Sequence, residues 1–345
     1  DLSKAEKYPG VKAVINLNKK RVRYVGEEIA AVAAVSEEIA EEAIKLIKVE
    51  YETLPYVVDM EKAIEPDAPK VRPDGNISAK SRTRERGNIE KGFKEADVVF
   101  ERTFKTQVEV HNCAEVHGSV AKWEGEKLTV WDTTQATHNV RRALARFLKL
   151  PESNVRVINH YMGGGFGSKL GLNIHTVIAA KLSKIANQPV RIMLTRKEES
   201  YCVGNRPATI QTLKGGAKKD GTITAFYYRS YNNGGIGRGG SNSTPIWDIY
   251  QCPNCRTVES DVYTNTDASR PMRAPGHPQG TFCLESFMDE LAERLGMDPL
   301  ELRKKNYTTK NRGGTGIPYS SKGLDKCYEI GGKLIGWHRR NKKPG

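Results

Sequence analysis

The chain has 345 residues, enough for about two domains with a substantial core. Hydrophobic residues make up 38% of it, and no apolar run approaches the roughly 18 residues of a membrane-spanning helix, so neither a transmembrane protein nor a globally disordered one is expected. Lysine and arginine number 55 against 41 acidic residues, and the resulting net charge of +14 would suit nucleic acid, an acidic partner subunit or an anionic cofactor.

The distribution of the charges argues against nucleic acid. Basic residues are interspersed with acidic ones, such as those at 37–38 and 41–42, and the densest basic run covers residues 338–343. A nucleic-acid-binding or scaffold protein would carry a stripe of lysine and arginine with interleaved aromatic rings, and no such stripe is visible. A solvated surface, an acidic partner and an anionic cofactor remain open.

The cysteines and the first residues bear on location. Six cysteines lack the spacing of a secreted disulfide framework, which predicts a reducing, cytoplasmic environment. Cys252 and Cys255 form a C-x-x-C pair, but no second pair or nearby histidine completes a zinc set. No signal-peptide pattern is present, and the start on Asp1 leads us to expect further residues upstream.

Residues 1–59 are predicted to form a small α/β unit. Strand patterns cover 11–15 and 29–35, and Ser36 is a good N-cap for the amphipathic helix that follows. A short strand over 49–54 is then closed by Pro55. Residues 60–88 are rich in proline and charged residues, which predicts an extended linker.

Residues 89–345 mix strand and helix patterns again, so the fold class is α+β. An amphipathic helix around 140–148 ends before Pro151. Strands are predicted at 98–108, 128–131, 155–159, 190–194 and 223–231, and helices from about 172, at 284–295 and at 299–305.

The stretch YMGGGFGSK, residues 161–169, lies between a predicted strand and a predicted helix. Glycines there let the main chain approach a ligand closely and present unpaired N–H groups to an anion. Taken alone, the stretch could also be a plain turn. A dinucleotide-binding site is a second alternative, but it requires an acidic residue at the end of the next strand, where residues 194–197 read LTRK and Glu198 and Glu199 come later.

Several segments together resemble the molybdenum-cofactor subunit of the xanthine dehydrogenase and aldehyde oxidase family. The segments that carry the resemblance are PGVKAV (9–14), RYVGE (23–27), HNCAEVHG (111–118), TTQ (133–135), YMGGGFGSK (161–169), MRAPG (272–276), MDELA (288–292) and DPLELR (298–303). Val116 stands where the family usually has proline. The resemblance implies a hammerhead domain over 1–59, followed after the linker by the first half of an elongated mixed α/β cofactor-binding region over 89–345.

The resemblance also implies which residues form the site. Gln135, Phe166 and Arg273 are expected at the catalytic centre, since an amide can donate a hydrogen bond to an oxo ligand and an arginine fork suits an anionic cofactor or a polar substrate. Without the resemblance these would be a turn glutamine, a core phenylalanine and a surface ion pair. The residues expected to bind the cofactor are Gln135, Gly164, Gly165, Phe166, Gly167, Met272, Arg273 and Ala274.

Two positions are expected to contact the substrate. Leu170 lies where purine-oxidising relatives carry a glutamate, and Pro275 lies where they carry an aromatic residue. An apolar side chain at Leu170 offers nothing to a purine edge, which counts against xanthine. The MRAPG pattern instead resembles the branch that uses aldehydes and aromatic or N-heterocyclic substrates.

The activity implied is a molybdenum hydroxylase, which hydroxylates an aldehyde or aromatic N-heterocycle with water as the oxygen source. The cofactor would be molybdenum with molybdopterin, with the cytosine dinucleotide form left open, and no protein side chain is expected to bind the metal. An aromatic acyl-CoA reductase of the same family and a dinucleotide-dependent dehydrogenase remain as alternatives.

The family's proton-accepting glutamate lies in the second half of the cofactor-binding region, which this sequence does not include. Either this sequence is part of a longer chain or the subunit is split, as in some nicotinate dehydrogenases. The split subunit is the simpler expectation, with the glutamate on a second molybdenum-binding polypeptide. A [2Fe-2S] subunit and an FAD subunit are expected to receive the electrons.

Overall fold

The structure, a computed structural model, describes residues 1–17 and 19–341. The end of the basic run predicted at 338–343 lies outside the described residues. The strands are β1 (Val11–Asn16), β2 (Ala30–Ala34), β3 (Arg82–Arg86), β4 (Val98–Thr106), β5 (Gly118–Glu124), β6 (Lys127–Asp132), β7 (Val155–Ile158), β8 (Val190–Met193), β9 (Thr209–Ala217), β10 (Ile223–Gly235) and β11 (Asn254–Tyr263).

Helices alternate with these strands along the chain. They are α1 (Ser3–Glu6), α2 (Glu37–Lys45), α3 (Met60–Ala63), α4 (Ile89–Lys94), α5 (Thr137–Leu148), α6 (Ile174–Ala186), α7 (Arg196–Cys202), α8 (Thr244–Asp248), α9 (His277–Leu295), α10 (Pro299–Lys305) and α11 (Leu324–Leu334). Of the predicted helices, the one at 284–295 is longer than its pattern indicated, because α9 begins at His277.

The N-terminal unit has the predicted α/β character. Strands β1 and β2 pair antiparallel, and the Ser36 hydroxyl accepts a hydrogen bond from the backbone N–H of Ile39 at the start of α2. Ala13 and Ala33 are buried against Leu182 of α6, so the unit rests directly on the body of the protein. The contact is made by apolar side chains.

The predicted strand at 49–54 is not a strand in the structure. Residues 48–56 are all exposed, and the described part of the chain provides no neighbouring strand for them. A strand pattern requires a partner backbone before it becomes a strand, because the ladder hydrogen bonds lie between chains and not within one.

The segment 60–88, predicted as an extended linker, contains regular structure at both ends. Helix α3 occupies its start, and β3 pairs antiparallel with β11 near its end. The charged sequence of β3 suits an edge strand, where half of the side chains and one backbone edge face water. The division of the chain into domains at 59 and 88 stays a prediction.

The larger sheet has five strands in the order β3-β11-β10-β9-β4, and α9 packs against it. Phe287 of α9 is fully buried, and its ring stacks on Phe100 of β4 with centroids 4.3 Å apart. Gly215 of β9 makes room for this ring, since a Cβ there would lie 2.5 Å from a ring carbon of Phe287. The helix and the sheet thus share one core.

The smaller sheet positions the glycine-rich loop. It has four strands in the order β7-β6-β5-β8, with α5 and α6 burying Leu144 and Val177 against Leu128 and Val130. The predicted succession of strand, loop, helix and strand is present as β7, α6 and β8. However, β7 and β8 lie at opposite edges of the sheet, whereas a dinucleotide-binding unit places such strands close together, so the topology disfavours that alternative.

Across residues 1–17 and 19–341, no helix combines the length and the apolar character needed to cross a membrane.

We expect Phe287→Ala to lower the free energy of unfolding by about 3–5 kcal/mol, because it empties a fully buried ring site between α9 and the larger sheet. Urea denaturation followed by circular dichroism measures the change. Phe282→Ala is the matched control in the same helix, since Phe282 is 49% exposed and should cost far less. Equal losses for the two variants would contradict this description of the core.

Candidate functional site

The glycine-rich loop, residues 161–169, runs between β7 and α6. Its backbone enters the left-handed region at Gly164, Phe166 and Gly167, with φ of 104°, 49° and 116°. Glycine takes this conformation readily, but a phenylalanine does so only where the surroundings hold it. The loop is therefore fixed by its neighbours.

Gln135 is one of those neighbours. Its side-chain oxygen accepts a hydrogen bond of 2.7 Å from the N–H of Gly167, and its own backbone N–H donates to the carbonyl of Lys169 at 2.9 Å. Gly165 packs so tightly on it that a Cβ would lie 2.6 Å from the amide carbon of Gln135. Within the described residues the amide nitrogen Nε2 of Gln135 has no partner.

The second neighbour is the arginine loop, which we define as residues 270–276. The backbone N–H of Arg273 donates to the carbonyl of Phe166 at 2.7 Å, which joins the two loops directly. A Cβ on Gly167 would lie 2.2 Å from the carbonyl oxygen of Pro271. Arg270 adds a hydrogen bond of 3.1 Å from its guanidinium to the carbonyl of Ser168.

A buried arginine supports the arginine loop from behind. Arg206 is 6% exposed, and its guanidinium donates to the carbonyl of Arg273 at 2.9 Å, to Glu109 at 3.0 Å and to Gln279 at 3.3 Å. His111 contacts the same loop through Nε2, which lies 2.7 Å from the carbonyl oxygen of Pro271. Sequence reasoning missed Arg206, because its partners are distant in sequence. His111 belongs to the HNCAEVHG segment, and the resemblance of that segment to the family was the sequence signal that pointed to it.

Several hydrogen-bond donors of the two loops have no acceptor, and they lie beside an open face that the exposed residues Gln135, Phe166 and Arg273 form; Gly165 itself is buried. Among the described residues, no acceptor contacts the backbone N–H groups of Gly164, Gly165 and Phe166 or the guanidinium of Arg273. Successive backbone N–H groups with alternating backbone conformation form a concavity that favours anions. The N–H groups of residues 164–166, the guanidinium of Arg273 and the Nε2 of Gln135 form a cluster of donors. No carboxylate of the described residues accepts a hydrogen bond from any of them.

The structure brings most of the predicted site residues to this face. Gln135 and Phe166 face solvent in the glycine-rich loop region, and Arg273, Ala274 and Pro275 do so in the arginine loop. Ala274 also has a positive φ of 55°. Leu170, at the end of the glycine-rich loop, is 42% exposed, whereas Met272 is half-buried.

Buried polar residues lie behind the glycine-rich loop. His117 and Glu199 are both buried, and His117 Nδ1 lies 2.7 Å from the carboxylate. Burial alone would raise the pKa of Glu199, but hydrogen bonds from the side chain and backbone of His117 hold it below its ordinary value. Burial and the neighbouring positive groups lower the pKa of His175 to about 3, so this ring is neutral at pH 7.

The cysteines of the C-x-x-C pair do not form part of this site. Cys252 and Cys255 are fully buried, and burial raises the pKa of both thiols, that of Cys255 to about 12, so neither is a reactive thiolate. Among the residues that the structure describes, no group of three or more His, Cys, Asp or Glu side chains is arranged to hold a metal ion.

Comparisons with known families cover most of the chain. Residues 71–307 match the molybdopterin cofactor-binding domain, and residues 14–55 match the aldehyde oxidase and xanthine dehydrogenase a/b hammerhead domain. The hammerhead match confirms the predicted fold class for the N-terminal unit. The two matches begin and end at other residues than the predicted domains do. They do not test the predicted domain boundaries, which stay a prediction.

Individual relatives agree with these family matches. The chain is 33% identical to the aldehyde oxidoreductase molybdenum-binding subunit PaoC of Escherichia coli (strain K12), over all of this chain and 49% of that protein. It is 34% identical to the nicotinate dehydrogenase large molybdopterin subunit of Eubacterium barkeri, over 89% of this chain and 78% of that one. The first of these relatives is about twice as long as the present chain.

Among solved structures, quinoline 2-oxidoreductase from Pseudomonas putida 86 superposes with a TM-score of 0.90 at 25% sequence identity. The match covers 98% of this chain and 48% of that one. Nearly every element described above therefore has a counterpart in that structure.

We expect Gly167→Ala to force the two loops apart, because its φ is positive and a Cβ would meet the carbonyl of Pro271. The free energy of unfolding should fall by about 1–3 kcal/mol. Gly171→Ala is the matched control, since no atom lies within 4 Å of a Cβ there. Urea denaturation compares the two variants, and equal stability would contradict the close contact between the loops.

Proposed function

Because this chain belongs to the molybdopterin cofactor-binding family of xanthine dehydrogenase and aldehyde oxidase subunits, we propose that it forms the cofactor-holding part of a molybdenum hydroxylase. The observation that carries the proposal is the open face between the glycine-rich loop and the arginine loop. There, Gln135, the three N–H groups of residues 164–166 and Arg273 all present donors that nothing in the described chain accepts.

The residues present fit a molybdopterin. Phosphate and oxo groups are anionic acceptors, and consecutive backbone N–H groups beside an arginine fork match them in charge and direction. Gly165 and Gly167 leave no room for a side chain, so their backbone packs directly against Gln135 and Pro271 next to these donors. We assign cofactor binding to Gln135, Gly164, Gly165, Phe166, Gly167, Met272, Arg273 and Ala274.

When bound, the cofactor supplies a two-electron redox centre at which a C–H bond of the substrate is replaced by a C–O bond with oxygen from water. The protein's contribution is orientation and electrostatics. Gln135 is oriented for this, because its oxygen is committed to the N–H of Gly167 and its Nε2 is left to donate. Phe166, 46% exposed, covers part of the face with an apolar ring and limits the access of water.

Arg273 has a different task. Its backbone is fixed on both sides, by the carbonyl of Phe166 and by the guanidinium of Arg206, while its side chain remains available. A guanidinium keeps its charge at every physiological pH, so it can hold an anionic group of the cofactor or a polar group of the substrate.

The substrate class follows from Leu170 and Pro275. Both are exposed and apolar, and neither can donate to or accept from a purine edge. We assign them to the substrate pocket and propose an aldehyde or an aromatic N-heterocycle as substrate. The names of the similar proteins include an aldehyde oxidoreductase, a nicotinate dehydrogenase and a xanthine dehydrogenase subunit, so the proposed class rests on Leu170 and Pro275 and not on these names.

The open face also bears on partners. A cofactor held only here would be exposed to water on one side, and the curated relative from Escherichia coli is about twice as long. We propose that a second molybdenum-binding polypeptide covers the face and carries the proton-accepting glutamate. A [2Fe-2S] subunit and an FAD subunit would take the electrons, in a cytoplasmic complex.

We expect Gln135→Ala to leave the complex folded and loaded but to lower turnover by about 10²-fold, because one oriented donor to the reacting centre is removed. Gln188→Ala, an exposed glutamine away from the loops, is the control. Turnover is measured with aromatic aldehydes and N-heterocycles and an artificial electron acceptor, alongside molybdenum and pterin content.

Two results would contradict the account at different points. A wild-type complex from the source organism without molybdenum and pterin would overturn the proposed function. Equal turnover of the Gln135→Ala and Gln188→Ala complexes, both loaded, would overturn only the role of Gln135.

A further inference from the structure

Lys169, the last residue of the glycine-rich loop, has a side chain that is completely buried. Its Nζ donates to the carboxylate of Glu115 at 2.9 Å and to the backbone carbonyl of the same residue at 3.0 Å. Lysine is almost never buried without such a partner, because removing an ammonium group from water is costly. The pair is therefore a specific feature of this loop.

Glu115 also holds the other end of the loop. The carboxylate oxygen Oε2 that accepts from Lys169 accepts the N–H of Gly163 at 3.1 Å, and the N–H of Glu115 donates back to the carbonyl of Gly163 at 3.1 Å. A Cβ on Gly163 would lie 2.6 Å from the Cβ of Glu115. One carboxylate oxygen thus ties residue 163 to residue 169.

The backbone of Lys169 connects this arrangement to Gln135. Its carbonyl accepts the N–H of Gln135 at 2.9 Å and the hydroxyl of Thr134 at 3.0 Å. The three unpartnered N–H groups at 164–166 lie between the two tied ends, and Gln135 is fastened to one of them. A change in the position of Lys169 must therefore alter both sets of donors.

We propose that Glu115 and Lys169 form a clasp that sets the curvature of the glycine-rich loop and so directs its N–H groups and Gln135 toward the cofactor. The inference rests on the proposed function for its purpose, although the clasp itself is a property of this chain alone. The charged groups of Glu115 and Lys169 do not lie on the open face, so both are positioning residues and not catalytic ones.

A purely stabilising role is the competing explanation. A buried ion pair is weak support for stability, since well-packed apolar residues in its place often stabilise a protein as well or better. Its distinctive effect is geometric, because hydrogen bonds fix the distance between the groups they join whereas apolar contacts do not. Replacement of Lys169 by an apolar residue of similar length therefore separates the two explanations.

The test compares Lys169→Met with Arg303→Met. Arg303 is also mostly buried, at 14% exposed, and its partner Glu285 is 30% exposed, as Glu115 is, but this pair joins α10 to α9 and lies outside both loops. Hydrogen exchange measured by mass spectrometry on the purified chain reports the loop amides. Pterin retained by the assembled complex after gel filtration reports the site.

We expect Lys169→Met to raise hydrogen exchange about tenfold or more at the two hydrogen-bonded amides of the loop, those of Gly163 and Gly167, with other regions unchanged. The loaded complex should retain pterin about tenfold less well. Arg303→Met should change neither measurement. If Lys169→Met fails to fold, Glu115→Gln is measured in its place, since it keeps the shape of the side chain and removes the charge.

Unchanged exchange at the amides of Gly163 and Gly167 in the folded variant would overturn the clasp, and so would an increase of equal size in Arg303→Met. Faster exchange with unchanged pterin retention would overturn its positioning role. Absence of pterin from the wild-type complex would instead overturn the proposed function, while the exchange measurement would still decide whether the clasp exists.

Discussion

The hydrogen bond from the N–H of Arg273 to the carbonyl of Phe166 is the interaction on which the site depends, because it joins two loops that have no regular secondary structure of their own. Two neighbouring contacts keep the glycine-rich loop and the arginine loop at this distance from each other. Gly167 lacks a Cβ where Pro271 approaches, and Arg206 holds the carbonyl of Arg273 from the buried side. Loops usually move more than the helices and strands that they connect. A site built on two loops therefore needs additional hydrogen bonds and close contacts that a site on a helix or a sheet would not need.

The same arrangement explains why so many donors remain unused. The backbone N–H groups at 164–166 do not pair with the loop's own carbonyls: that of Phe166 accepts from Arg273, and that of Gly165 accepts from Ser168. A protein pairs nearly all of its buried polar groups, so an unpaired set such as this one requires an explanation, and a bound anion is one. The net charge of +14 adds a general attraction for an anionic cofactor or an acidic partner, but it does not choose between them.

Local patterns in the sequence predicted the local features well. The Ser36 cap, the helix before Pro151 and the strand, loop and helix around residue 165 depend on neighbours within a few positions, and each is present. The resemblance of several motifs predicted the family, which the comparisons confirm. The residues assigned to the site stay predictions, although the structure brings most of them to one face.

Contacts between distant segments could not be predicted in the same way. The strand at 82–86 needed β11, about 170 positions away in the sequence, and the pattern at 49–54 found no partner at all. Arg206 and the Glu115–Lys169 pair carry no periodicity, because a buried ion pair is defined by where two elements meet. A single charged residue inside a sequence gives no sign of which neighbour it will have.

Anomalous X-ray diffraction at the molybdenum absorption edge, on crystals of the assembled complex, tests the central claim most directly. We expect one molybdenum position per chain, on the face between residues 163–169 and 270–276, with the side chain of Gln135 among its nearest protein groups. No histidine or cysteine of this chain should be bonded to the metal. A molybdenum atom located away from these loops, or coordinated by such side chains, would contradict the account.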